Sequence, residues 1–197
     1  MRNILLAISY DGTDFCGWQR QDDVLGEQAE RTVQNEVETA LEKIHKQKIQ
    51  LYGSGRTDSG VHALGQAANF YTPIDTIPAE NYLRAINGFL PKDVRITDSK
   101  EVPQDFSARK SATSRVYRYF ISFGRSVSAN NLRYSWFVKN YEPNVERLNR
   151  YCKCLRGELD CSSFAAKGDD SVSTFRYIDD AAFFIQKDIW GNDILVF

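Results

Sequence analysis

The chain of 197 residues is short of the groups that hold metals. It has two histidines, His45 and His62, and four cysteines, Cys16, Cys152, Cys154 and Cys161, with no C-x-x-C pair, so ligands at zinc spacing are missing. No 18 consecutive apolar residues occur, which leaves no candidate for a membrane-spanning helix. A short apolar stretch follows Met1, but it closes in Tyr10-Asp11-Gly12 without a small-residue cleavage site and reads as a strand, not a secretory leader. Unpaired thiols in a chain without such a leader point to the reducing cytoplasm. Neither sign of charge dominates: 25 Lys and Arg stand against 26 Asp and Glu, a net charge of −1, so bulk charge selects no partner.

Charge distribution is more informative. Between Phe106 and Asn140 lie seven basic residues and no acidic one, namely Arg109, Lys110, Arg115, Arg118, Arg125, Arg133 and Lys139. Tyr117, Tyr119, Tyr134 and Trp136 are interleaved with them. Cations for phosphates beside rings for bases describe a nucleic-acid surface, although the solvated face of a β-sheet has the same composition.

The most chemical segment is Gly53-Ser54-Gly55-Arg56-Thr57-Asp58-Ser59-Gly60-Val61-His62-Ala63. Three glycines in eight residues describe tight turns or a backbone lying close to a ligand. A complete G-x-G-x-x-G is absent because Asp58 stands at the third glycine position, and there is no phosphate loop of the Walker type. Asp58 belongs to no carboxylate pair and has no histidine or lysine at helical spacing. A lone aspartate on such a loop is suited to act as nucleophile or base. The alternative is an Asx-turn with a surface ion pair to Arg56. Arg56, two residues away, is expected to favour the ionised carboxylate and orient it.

Element order predicts an α+β fold. Asn3 to Tyr10 reads as a buried strand, and Asp22 to Gln28 as a polar connection. Val33, Val37, Ala40, Leu41 and Ile44 mark one face of a helix with Glu36, Glu38, Glu42 and Lys43 on its wet side. Ile49 to Tyr52 and Gln66 to Tyr71 read as strands. A helix near Pro78 carries Tyr82, Ala85, Ile86 and Phe89 and stops before Pro91, and Val94 to Asp98 is a fourth strand. This β-α-β-β-α-β order is the ferredoxin-like pattern. A second round follows: strands over Thr113–Ser122 and Tyr134–Lys139, a helix on Val145, Leu148, Cys152 and Leu155, then Thr174–Gln186 and Asp193–Phe197 as a hairpin around Trp190-Gly191-Asn192. The expected organisation is two halves, 1–105 and 106–197, sharing a mostly antiparallel sheet, with the second half incomplete at its end.

Five stretches in order resemble the bacterial tRNA pseudouridine synthase A family: Tyr10 to Gln21, Thr32 to Leu41, the glycine loop, Phe106-Ser107-Ala108-Arg109, and Tyr117-Arg118-Tyr119. The resemblance covers nearly the whole chain. It implies the pseudouridine synthase fold, with two RRM-like halves, and isomerisation of uridine to pseudouridine at positions 38, 39 and 40 of the tRNA anticodon stem-loop, without cofactor or metal. It implies Asp58 as nucleophile, or as the base that starts glycal formation, and Tyr117 as the ring that stacks on the uracil and a candidate for removing the C5 proton. Arg56 either orients Asp58 or fills the space left by an extruded base. Arg20, Gln21, Arg109 and Arg118 are expected on phosphates and Arg176 near the cleft, with a homodimer contacting one tRNA. His62 is expected to hydrogen-bond the glycine loop in place, and Trp18 and Gln19 to pack the loop after the first strand rather than touch RNA. Two departures stand out. Leu159-Asp160-Cys161-Ser162-Ser163-Phe164 replaces a His-Asp-Phe pattern, and the chain stops at Phe197 before a further arginine-bearing helix. The second departure predicts reduced stability and, as an alternative function, an RNA-binding remnant with impaired turnover.

Overall fold

In the computed structural model, residues 1–20, 30–164 and 173–197 are described; the polar connection expected at Asp22–Gln28 lies outside them. The chain divides into two compact units, Met1–Arg115 and Val116–Phe197.

The first unit contains β1 (Arg2–Tyr10), α1 (Val33–His45), β2 (Leu51–Gly53), β3 (Ala63–Thr72), α2 (Tyr82–Asn87) and β4 (Val94–Val102). Its sheet has the order β2-β3-β1-β4 with every pairing antiparallel. Alternation in β1 buries Ile4, Leu6, Ile8 and Tyr10, and these share one core with Val33, Val37 and Leu41 of α1 and Tyr82 and Ile86 of α2. Each large apolar side chain so buried contributes about 1.5–3 kcal/mol before entropy is charged against it. The wet face expected of α1 needs one correction. Glu38 is buried, because its carboxylate is used by three donors described below. In α2 the helix ends at Asn87, so the apolar period does not reach Phe89, which is half exposed, and Leu90 takes its place in the core.

Residues 106–115 fold with the first unit, ten residues later than the boundary expected from the sequence. Two fully buried amides account for this. Asn69 Nδ2 donates to Asn3 Oδ1 at 2.9 Å, and Asn3 Nδ2 donates to the carbonyls of Pro103 and Phe106 at 3.0 and 2.9 Å. Asn69 Oδ1 in turn accepts from the N–H of Ala108 at 2.9 Å. Buried polar groups persist where each has a partner, and here those partners are the backbone of the segment leading to Arg109.

The second unit contains β5 (Phe120–Gly124), α3 (Ala129–Tyr134), β6 (Trp136–Lys139), α4 (Val145–Cys152), β7 (Gly157–Asp160), β8 (Phe175–Ile178), β9 (Phe184–Lys187) and β10 (Asp193–Val196). Its sheet is mixed, in the order β6-β5-β10-β9 with β5 and β6 parallel, and β7 and β8 form a separate antiparallel ribbon. Among the described residues each unit thus forms a sheet of its own strands. The long strand expected from Thr113 is regular only from Phe120; Tyr119 continues it by exchanging both backbone hydrogen bonds with Phe197. Tyr134 belongs to α3, whose crossover makes β6 parallel to β5. The closing hairpin consists of β9 and β10, and β8 pairs with β7 instead. Its turn is fastened by Asp188, which accepts from the N–H groups of Trp190 and Asn192 and from the side chains of Asn131 and Asn192. Desolvation pushes this carboxyl up, but those donors outweigh it and bring its pKa down to about 2.

Candidate active site

The glycine loop joins β2 to β3 and is held along its length by backbone atoms. Ser54 N–H donates to Ala67 O at 2.8 Å, and Gln66 Nε2 donates to Gly55 O at 2.7 Å. Trp18 N–H donates to Thr57 O at 3.0 Å, and Gly60 N–H and Ser59 Oγ both donate to Phe15 O. The Thr57 hydroxyl meets the hydroxyl of buried Tyr10 at 2.8 Å. Residues 15–18 therefore run alongside 57–60, so close at Gly17 that a β-carbon there would lie 2.7 Å from Thr57 O. Trp18 is buried, its ring against Gly53 and 6.0 Å from that of Tyr10. The same segment caps α1: Gly17 O and Trp18 O accept from the N–H groups of Val33 and Gln34.

Braced in this way, the loop presents Asp58 to solvent. Among the described residues its carboxylate takes part in no hydrogen bond or ion pair. Arg56 is exposed as well, and the ion pair expected between the two does not form. Physical chemistry does not require it, because an exposed pair gains only about 0–1 kcal/mol against the entropy of ordering two side chains. At the far end of the loop His62 Nδ1 accepts from Gly12 N–H at 3.1 Å and lies 3.1 Å from Asp11 Oδ1. It thus ties the loop to the turn after β1.

A clamp that periodicity did not reveal sits on α1. Gln34 and Glu38, one turn apart, grip two chain segments. Glu38 Oε1 accepts from Leu51 N–H at 2.9 Å and from Gln34 Nε2 at 3.0 Å, and Gln34 Nε2 also donates to Leu51 O at 3.1 Å. On the other side Glu38 Oε2 pairs with Arg20 Nη1 at 2.6 Å, and Gln34 Oε1 accepts from Arg20 N–H at 3.1 Å. Leu51 opens the strand that enters the loop, and residues 17–20 flank it, so one buried carboxylate fixes both approaches to Asp58. The Q-x-x-x-E spacing in Thr32–Leu41 was the available signal, but hydrophobic patterning places such residues in water.

The other expected site residues fall as follows. Arg20 holds Glu38. Gln21 lies outside the described residues. Arg109 is exposed just past Ala108. Tyr117, Arg118 and Arg176 belong to the second unit. Tyr117 is 60% exposed and precedes the regular strand instead of lying in it. Arg118 is exposed. Arg176, on β8, donates to the carbonyls of Ser173 and Phe175.

A second support lies behind Phe15. Arg31 stacks 4.1 Å over its ring, binds Asp93 through both ends of the guanidinium at 2.7 and 3.0 Å, and reaches Glu36 at 2.8 Å. The hydrogen bond from Arg31 lowers the Asp93 carboxyl below its ordinary value, with desolvation opposing. A folded-state value below the unfolded one stabilises the fold above the unfolded pKa, near 3.9, and that stability is lost as pH falls through the folded value. Both side chains are about one-third exposed, so screening limits the effect to about 1 kcal/mol. Asp93→Asn is expected to remove that amount at pH 7 and to flatten the acid limb of stability below about pH 4, measured by urea unfolding across pH.

The first unit is an α+β arrangement that presents, from a glycine-rich loop, a carboxylate without a partner among the described residues, a group chemically suited to act as nucleophile or base. The sequence profile described as tRNA pseudouridine synthase matches residues 6–109. A protein of Treponema denticola named tRNA pseudouridine synthase A is 51% identical over 196 residues, which is 100% of this chain and 70% of the relative. Its namesake in Treponema pallidum is 51% identical over 183 residues, 93% of this chain and 65% of the relative. One in Brachyspira hyodysenteriae is 41% identical over 179 residues, 91% and 70% of the two chains. The chain belongs to the tRNA pseudouridine synthase family, isomerases that convert uridine to pseudouridine. Among the described residues no helix is long and apolar enough to cross a membrane.

Proposed function

We propose that this chain converts uridine to pseudouridine in tRNA, at positions 38, 39 and 40 of the anticodon stem-loop. The observation that carries the reading is the Asp58 carboxylate, exposed and without a partner among the described residues, on a loop whose backbone is fixed on both sides. The reaction is an isomerisation that needs no cofactor or metal. The N1–C1′ bond breaks, the uracil turns, C5 bonds to C1′, the C5 proton leaves and N1 gains one. Asp58 acts either as nucleophile at C1′ or as the base that opens the glycal route, and both roles require the ionised form. Reaching C1′ requires the uridine to leave its stack, at a cost of a few kcal/mol. Arg56, exposed and with no ion pair among the described residues, either orients Asp58 or fills the vacated stack. Tyr117 stacks on the uracil, gaining roughly 1–3 kcal/mol, and its hydroxyl is the candidate acceptor of the C5 proton.

In this reading the first unit supplies Asp58 and Arg56 and the second supplies Tyr117, the two being the halves of a pseudouridine synthase fold. Phosphate contacts fall to Arg20, Gln21, Arg109, Arg118 and Arg176. Of these, Arg20 must share its guanidinium with Glu38. Two copies acting on one tRNA complete the assembly, and light scattering that gives one chain per active particle would remove that part. The free thiols support a cytoplasmic setting. The deciding experiment is tritium release from anticodon stem-loop RNA labelled at uridine C5. Release at one or more of the three positions supports the reading. RNA binding without release would identify a binding protein instead.

A further inference from the structure

Arg115 is the last residue of the first unit and reaches back over the glycine loop. Its Nη2 donates to Ser54 O at 2.7 Å. A β-carbon on Gly55 would lie 3.3 Å from its Nε, so the guanidinium rests on the loop where the missing side chain leaves room. This is one residue before Arg56 and three before Asp58. The tether uses one of the five N–H donors of the group. Arg115 is exposed, and no carboxylate among the described residues pairs with it.

A brace for one carbonyl does not need a planar charged fork; a lysine or a hydroxyl would do. A fork laid on rigid backbone with most of its donors unused is prepared for a bidentate oxyanion. We propose that Arg115 binds a phosphate of the RNA backbone next to the target uridine and so sets the distance between that nucleotide and the Asp58 loop. The inference rests on the reading of the chain as an RNA isomerase. It adds to that reading a residue whose contact is with one phosphate rather than with the general field of the basic stripe.

The test uses the full chain carrying Asp58→Asn, to stop turnover, and anticodon stem-loop RNAs in which single phosphates flanking the uridine are replaced by methylphosphonate. Adding Arg115→Met is expected to weaken binding about tenfold and to make the slope of log K against log salt shallower by about one. One methylphosphonate should weaken the Asp58→Asn protein by a similar factor and have no further effect once Arg115 is Met. Arg115→Lys, which keeps the charge, should recover part of the affinity and guards against a folding defect. Equal losses at every methylphosphonate with and without Arg115, together with an unchanged salt slope, would reduce the residue to a loop brace and overturn the proposal. Failure of the isomerase reading would be visible separately, as an absence of tritium release by the unsubstituted chain.

Discussion

Asp58→Asn is expected to abolish tritium release while leaving the fold and RNA binding in place. The substitution keeps the shape and removes the charge. Because the carboxylate bonds to nothing among the described residues, the stability of the folded chain should change by no more than about 0.5 kcal/mol. Loss of a nucleophile or primary base from a unit that works together typically costs a factor of 10³ or more, about 4 kcal/mol of barrier. Affinity for the stem-loop should be retained or rise slightly, since a negative charge near phosphates is removed. The measurement is single-turnover tritium release beside equilibrium binding on the same preparation. A variant that releases tritium within tenfold of the parent would remove Asp58 from the chemistry and, with it, the proposed mechanism.

Gly17→Ala should damage both stability and rate although residue 17 touches no substrate in the proposed mechanism. Its φ is +95°, where a side chain is strained, and the added carbon would meet Thr57 O at 2.7 Å and the Asp58 carbonyl carbon at 3.3 Å. Those are backbone atoms and cannot rotate aside. Relief therefore requires the 57–59 backbone to move away from residues 15–18, at the expense of the Trp18–Thr57 hydrogen bond. The expected loss is about 2–4 kcal/mol in urea unfolding, and the folded fraction should turn over at least tenfold more slowly because Asp58 is displaced. Gly60→Ala is the control. Its φ is +78° but nothing lies within 4 Å of the new carbon, so it should cost about 1 kcal/mol. Equal behaviour of the two variants would mean that contact with the loop does not matter.

Much of the first unit was legible in the sequence because its signals are local. The short apolar stretch closed by Asp11-Gly12 gave β1, the three-four spacing of Val33, Val37, Leu41 and Ile44 gave α1, and the glycines marked the loop. What escaped depended on partners far along the chain. Glu38 reads as a wet helix residue until Leu51 N–H, thirteen positions away, turns out to need an acceptor. Asn3 and Asn69 look unremarkable until their amides are found holding residues 103–108. In the second unit Thr113–Ser122 reads as one long strand, but among the described residues its pairing begins only at Tyr119. The sequence likewise could not say whether Arg56 and Asp58 would pair, since neighbours in sequence at a solvated loop gain almost nothing by doing so.

The capping of α1 bears on how any polyanion is held. The amide end of a helix is the cheapest anion receptor a protein owns, requiring no charged side chain. Here two of those amides are already spent on Gly17 and Trp18 carbonyls, and what they secure is the flank of the Asp58 loop. The molecule has traded a ready-made phosphate cradle for rigidity at its reactive carboxylate. In the proposed function the backbone phosphates then fall to guanidinium and ammonium groups on long stems, a form of grip that loosens as salt rises and that can be retuned one arginine at a time without disturbing the loop.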